Sequence, residues 1–505
     1  MERGRFFHGD RSLCPAQRVA PMYKVSFALA LVLSACASPA YRSPEVPVPA
    51  AYNVSASQTQ SIKAAAYQLG QDASPQSVQI SRSAAPSPFW MQLGDTTLVN
   101  LVRDAQRSNL DVSVAESRLL SARASRRLAR FDLVPTVTGT GSTSRLQTSL
   151  AATPGLTRQL PTQQLWDVGF DASWEVDIFR RVASNVNAQN ALAESSQHDL
   201  DDVQISVAAE VARTYFDLRG AQRQLAVAQR NAANQQKIVK LTEDRLVAGR
   251  GTAFDTERAK TVLYLTLAST PLLEAQIALE RNRLAVLTGR PPNALPAALL
   301  DSGALPRLPD TVYVGSPEEL VRRRPDVLRA ERQLAARSLF VGAARAEYLP
   351  RITFGARAGY LANAADELFK RANSRLVVGP VMTFPLFDIG RVRERVQVAE
   401  AGQDEAQASY NATVLRALEE SEGALVTYDR AHARLSILES AVRSSSRAAD
   451  LAQQRFEAGL TDFLQVLDAE RTLLDADNQL ALGHTTAATA LVAVYKAVGG
   501  TWPIR

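Results

Sequence analysis

The stretch Val168-Gly169-Phe170-Asp171-Ala172-Ser173-Trp174-Glu175-Val176-Asp177 decides the fold. Val168, Phe170, Ala172, Trp174 and Val176 fall on one side of an extended chain, and Gly169, Asp171, Ser173, Glu175 and Asp177 on the other. A soluble sandwich strand shows such alternation. About ten residues with one fully apolar and one polar face is also the pattern of a transmembrane β-barrel wall. Partner strands are expected at Thr136 to Ser142 and Ile352 to Tyr360, and a fourth, less regular, at Leu376 to Phe387 with Pro380 and Pro385 inside it. The segments between them, Thr143 to Gln164 and Leu361 to Arg375, are the expected outer loops. Four strands cannot close a barrel, and an open edge in lipid leaves backbone groups unpaired, so these strands require copies of themselves.

Immediately after Asp177 the period changes. Val182 to Ala248 and Val392 to Ala458 contain no Pro, and only Gly220, Gly402 and Gly423 interrupt them. At 1.5 Å per residue each makes a helix of about 100 Å. Val207, Val211, Thr214, Leu218, Ala221, Leu225, Ala228 and Ala232 alternate steps of four and three, the coiled-coil seam. The same phase recurs 210 residues later at Ala417, Ser421, Ala424, Tyr428, Ala431, Leu435, Leu438 and Val442. Arg245-Leu246-Val247-Ala248-Gly249 and Arg455-Phe456-Glu457-Ala458-Gly459 share that offset, and Leu133-Val134-Pro135 answers Tyr348-Leu349-Pro350 at 215, so one unit is duplicated in tandem. Each long helix ends at Ala-Gly, where Gly supplies a left-handed cap, and a second helix returns over Asp255 to Thr288, kinked at Pro271, or Asp462 to Val498. Shorter helices are expected at Asp111 to Phe131 and Pro325 to Tyr348. The Arg322-Arg323-Arg324 run before the second of these reads as a connector that satisfies helix ends.

The N-terminus sets the compartment. Met22-Tyr23-Lys24 and the apolar run Val25 to Leu33 have the form of a secretory signal, with the start codon expected at Met22 rather than Met1. Leu33-Ser34-Ala35-Cys36 resembles a bacterial lipobox, which implies diacylglyceryl and N-acyl chains on Cys36; an ordinary signal peptide with an incidental Cys is the alternative. Ala37, in place of Asp, implies sorting to the outer membrane. Residues 36–94, rich in Ser, Pro, Ala and Gln, read as a poorly structured strap. The expected order is therefore a signal region at 1–35, the strap at 36–94, a first repeat at 95–290, a linker at 291–315, a second repeat at 316–499 and a tail at 500–505.

Composition excludes several classes of function. The net charge of +6 is spread along the chain without a basic stripe interleaved with aromatics, which argues against nucleic acid. Cys14 and Cys36 and the four scattered His lack metal-ligand spacing, and neither a nucleotide loop nor a nucleophile elbow is present, so no enzyme and no cofactor beyond the lipid is expected.

The residues Ser316-Pro317-Glu318-Glu319-Leu320-Val321-Arg322-Arg323-Arg324-Pro325-Asp326, Leu284-Ala285-Val286-Leu287-Thr288-Gly289, Trp174-Glu175-Val176-Asp177-Ile178-Phe179, Leu386-Phe387-Asp388, Asp468-Ala469-Glu470-Arg471-Thr472-Leu473-Leu474 and Tyr495-Lys496-Ala497-Val498-Gly499-Gly500 resemble the TolC/OprM-like outer membrane factor family, over about Trp90 to Trp502. The lipobox points to its NodT-type lipoprotein branch. The resemblance implies an α+β membrane protein: a homotrimer with a twelve-stranded transmembrane β-barrel, four strands per protomer, continued by a long α-helical coiled-coil barrel. It implies a passive exit duct of a tripartite efflux pump, carrying small toxic compounds from a periplasmic adaptor and an inner-membrane RND transporter. The channel of a type I protein-secretion system and a structural periplasmic coiled-coil lipoprotein are the alternatives. The hairpin tips that meet the adaptor in this family match Arg245, Leu246, Ala248 and Gly249 and Arg455, Phe456, Ala458 and Gly459, whose glycines also serve as plain C-caps. The periplasmic gate matches Leu464 and Asp468, with Arg471 one turn on and able to pair with the carboxylate. Gln465 stands where some relatives carry another Asp, which implies weaker cation binding at the gate.

Overall fold

The computed structural model describes residues 89–500 except 153–154, 156, 293, 295–298, 300–302, 304 and 310, and before them residues 41, 44, 47–49, 51–52 and 78–81. Cys36, the signal region and residues 501–505 lie outside the described residues. The chain divides into two compact units, one built on 135–184 and 342–393 and the other on 42–134, 185–341 and 394–500.

The first unit is an antiparallel sheet of β2 (Thr136–Leu146), β3 (Gln163–Glu175), β5 (Arg351–Ala362) and β6 (Ser374–Thr383), in the order β2-β3-β5-β6. Its register puts Val168, Phe170, Ala172 and Trp174 on one face together with Phe354, Ala356, Tyr360, Leu376, Val378 and Met382. This face is bare: Phe170 is 65%, Leu376 73% and Met382 69% exposed. Trp166 and Tyr360 stand on it near the hairpin end, and Trp174 and Phe354 face each other near the other. Trp166 and Trp174 are thus about 27 Å apart along the strand, roughly 20 Å of bilayer height at a barrel's tilt, the spacing of two aromatic girdles. β2 and β6 are edge strands. Pro380 sits in β6, and an edge is where a strand tolerates a missing N–H.

The strands differ from expectation at both ends. At the hairpin end they run further, leaving loops of only 147–162 and 363–373, because polar strand ends beyond the apolar band still pair by backbone. At the other end β6 stops at Thr383, short of Phe387: Pro385 cannot continue the ladder, and the chain turns through Leu386 N–H to Phe384 C=O. β3 stops at Glu175, and the Asp177 carboxylate accepts from the amides of Val182 (3.0 Å) and Ala183 (2.6 Å) to start the next helix.

The second unit is helical. Its short elements are α1 (Phe89–Gln92), α2 (Thr96–Ser108), α3 (Leu110–Phe131), α6 (Pro317–Arg323) and α7 (Pro325–Ala346). The long ones are α4 (Arg181–Val247), α5 (Ala253–Leu287), α8 (Ile389–Glu457) and α9 (Phe463–Ala497), which start or end within a few residues of expectation. The same succession occurs twice, with helices of 22, 67 and 35 residues and then of 22, 69 and 35. None of the heptad positions named above is exposed. Antiparallel pairing of α4 with α5 is fixed by Lys260–Glu243 (3.2 Å) and Arg283–Glu210 (3.4 Å), and that of α8 with α9 by Arg434–Gln479 (2.8 Å). α5 runs as one continuous helix through Pro271.

Within the strap, the described residues include regular structure at Gln79–Ser81 and Phe89–Gln92. β1 (Gln79–Ser81) pairs in parallel with β4 (Thr311–Tyr313). Trp90, fully buried, packs its ring 4.5 Å from that of Tyr495 and 4.9 Å from that of Phe89. Two adjacent aromatics supply enough apolar area to pin a short segment that propensity alone would leave loose.

Candidate functional site

The two hairpin tips share one backbone device. After α4, Arg250 N–H donates to Arg245 C=O (2.9 Å) and Gly249 N–H to Leu246 C=O (3.1 Å); after α8, Leu460 N–H donates to Arg455 C=O (2.8 Å) and Gly459 N–H to Phe456 C=O (3.0 Å). These paired bonds form the Schellman motif, which needs a left-handed residue. Gly249 and Gly459 supply it with φ of 68° and 74°. Thr252 then caps α5 through the amide of Asp255, and Asp462 caps α9 through that of Gln465.

The residues expected at the tips divide by environment. Leu246, Ala248, Gly249, Arg455, Ala458 and Gly459 are exposed. Phe456 is buried, 6% exposed, in a cluster with Ala259, Phe463 and Val466. Arg245 lies with its guanidinium carbon 3.7 Å from the centre of the Phe456 ring and donates to the Phe456 carbonyl at 3.0 Å. Arg245 and Phe456 therefore join the first tip to the second, and the outward surface is left to their neighbours, including Val247 and Leu460, at 90% and 72% exposure.

The expected gate residues Leu464, Asp468 and Arg471 line one groove of about 710 Å3 between α4, α5 and α9, with Val227 of α4 and Leu265 and Leu272 of α5 opposite. Leu464 is half exposed. Asp468 and Arg471, which their helical spacing allows to pair, are joined by no salt bridge among the described residues. An exposed i,i+3 pair contributes only a few tenths of a kcal/mol, too little to hold two side chains together against their rotamer entropy. Close to Asp468 along α9, Glu470 is held above the ordinary carboxylate range by burial and by the Asp450 carboxylate on α8.

Of the three arginines before α7, Arg324 carries the connection. Nearly buried at 6% exposure, it makes a two-point contact with Asp326 (2.9 and 2.7 Å), meets Glu420 of α8 at 2.7 Å, and donates to the Ala497 carbonyl at the end of α9 (2.9 Å). Asn109 makes the equivalent connection in the first half, where its amide donates to Leu287 C=O at the end of α5 (2.9 Å) while its oxygen caps α3. Sequence reading missed Asn109, although it lies 215 residues before Arg324, the offset already seen at Pro135 and Pro350.

The apolar sheet face and the long hairpins suit a conduit. Comparison with known proteins gives the family. The model of the family described as "Outer membrane efflux protein" matches residues 101–290 and 316–500. The chain is 30% identical over 488 residues to the outer membrane protein OprJ of Pseudomonas aeruginosa, covering 95% of this chain and 96% of that one. It is 30% identical over 412 residues to TtgI of Pseudomonas putida, named a toluene efflux pump outer membrane protein, covering 81% and 86%. Among solved structures, the outer-membrane channel OprN superposes with a TM-score of 0.83 at 35% identity, covering 92% of this chain and 99% of that one. The fold is thus a β-barrel with a helical extension, and the protein is no enzyme but an exit duct of efflux in the outer membrane: the chain belongs to the outer membrane efflux protein family.

Proposed function

We propose that three copies of this chain close one twelve-stranded barrel and that their duplicated helical hairpins form the periplasmic conduit of a tripartite pump. The observation that carries this reading is the sheet β2-β3-β5-β6, which has one apolar face and two unpaired edges. In a bilayer each unpaired backbone group costs several kcal/mol, and joining β6 of one copy to β2 of the next removes the edges. The exposed apolar side chains of α5, among them Tyr264 (63%), Leu265 (69%), Leu272 (74%) and Leu279 (67%), support a neighbouring copy in the helical part as well.

In this reading the exposed tip residues around Gly249 and Gly459 meet a periplasmic adaptor, an inner-membrane RND transporter delivers small toxic compounds, Leu464, Asp468 and Arg471 line the gate, and acyl chains on Cys36 add a second hold on the membrane. Three Asp468 carboxylates brought near a common axis repel one another and attract cations, so the closed state depends on how the hairpins lean. The mass of the detergent-purified protein tests the assembly: three copies support it, and a stable monomer overturns it. Deleting the chain tests the role: increased sensitivity to dyes, solvents and antibiotics is expected, whereas loss of a single secreted polypeptide with unchanged drug sensitivity assigns the channel to protein secretion.

A further inference from the structure

The polar face of the sheet carries charge, and that charge is cancelled locally. β3 places Asp167, Asp171 and Glu175 on this face, and β5 and β6 place Arg351, Arg357 and Arg375 there. Each carboxylate has a guanidinium partner: Asp167 pairs with Arg375, Asp171 with Arg357, and Glu175 with Arg351 at 3.4 Å as well as with Arg181 at 2.7 Å. β2 adds only neutral groups along the same face, and its Thr140 hydroxyl donates to Asp171 at 3.1 Å. The rungs are not buried in a core: Arg357 is 54% and Asp171 31% exposed.

The Asp167–Arg375 rung is unusual in reach. Arg375 is registered with Gly359 of β5, and Gly359 with Gly169 of β3, so the guanidinium crosses a whole strand to reach Asp167. Two facing glycines leave that crossing clear of side chains. A Cβ on Gly359 would stand 2.3 Å from Val168 O and 2.6 Å from Gly169 Cα, so the backbones here are in closer approach than any other residue pair permits.

We propose that Arg357 and Arg375 set the ion preference of the barrel segment by neutralising Asp171 and Asp167. The inference rests on the reading that this face lines the conducting lumen. A wall of closed pairs presents short dipoles, whose fields fall off within a few ångströms, and cargo of either sign passes it without a long-range barrier. Without the two arginines, a three-copy barrel carries six uncompensated carboxylates facing one pore, an arrangement that concentrates cations.

Planar-bilayer recording under a KCl gradient tests this on the full-length protein. The double variant Arg357→Gln/Arg375→Gln is expected to shift the K+/Cl− permeability ratio toward K+ on the order of tenfold at low salt, with the shift shrinking as salt screens the charges. Asp167→Asn/Asp171→Asn shifts the ratio toward Cl−, and the fourfold neutral variant returns it to the starting value. A merely structural role for the rungs predicts the same direction of change for both double variants, with no return in the fourfold one. Currents with an unchanged reversal potential in both double variants overturn the inference while leaving the channel reading intact. No current in any of the proteins, wild type included, removes the channel reading and the inference with it.

Discussion

The two halves of the helical unit carry the same succession of helix lengths with different chemistry. At the junction where the returning helix ends, the first half uses a neutral amide, Asn109 on Leu287 C=O, and the second a buried guanidinium, Arg324, shared among Asp326, Glu420 and Ala497 C=O. At the tip the first half offers Leu246, 37% exposed, where the second buries Phe456. Along the hairpin the first half sets Lys260 against Glu243 at 3.2 Å, whereas 210 residues later Glu470 faces the Asp450 carboxylate. The backbone plan fixes where each helix must end and turn, and leaves open how each end is held. In the second half the junction is clamped by charge, while along the hairpin Glu470 lies in the field of the like-charged Asp450.

The largest contrast is expected at the junctions. Arg324→Ala leaves Asp326 without its partner in a half-buried setting and should cost about 3–5 kcal/mol, against about 1 kcal/mol for Asn109→Ala. Thermal unfolding of the purified protein in detergent measures both, and equal effects would break the comparison. Next come the tips: Phe456→Ala should destabilise by about 3 kcal/mol and Leu246→Ala by less than about 1 kcal/mol, because only the first opens a cavity. Leu246→Ala should instead weaken capture of a periplasmic adaptor in a pull-down without moving the melting curve.

pH separates the halves further. Burial, with the positive charge of Arg223 nearby, lowers the His484 imidazole on α9 to about 4. A histidine depressed in the folded state binds fewer protons there than in the unfolded chain. Stability is therefore lost as pH falls below the ordinary value of 6.5 toward about 4, and His484→Gln should flatten that part of the profile. The smallest effect is expected at Glu470. Its raised carboxyl costs stability once ionised, so Glu470→Gln should raise the melting temperature slightly at neutral pH, with the gain disappearing in acid as wild-type Glu470 takes up its proton. A gain that persists in acid points to packing rather than charge.

Most of the helical unit was legible because its signals are local and repeated. The Pro-free stretches, the heptad seam and the Ala-Gly ends each report on residues within one or two turns, and they recur in phase at Arg245 and Arg455. The β3 alternation likewise reports on a face. What escaped depends on partners distant in sequence. Trp90 is ordered by Tyr495, Arg245 by Phe456, and the outer strand ends by cross-strand pairing that asks nothing of side-chain type. Asp468 and Arg471 show the converse: correct helical spacing brings two charges within reach but does not close the pair.

The raw edges of β2 and β6 reach beyond the finished channel. A newly exported copy carries an unpaired strand at either side of its sheet and a face of Phe170, Leu376 and Met382 with nothing against it. In the proposed three-copy assembly these surfaces stay open until two other copies arrive, and the yield should vary with the rate of synthesis more steeply than that of a protein that folds by itself.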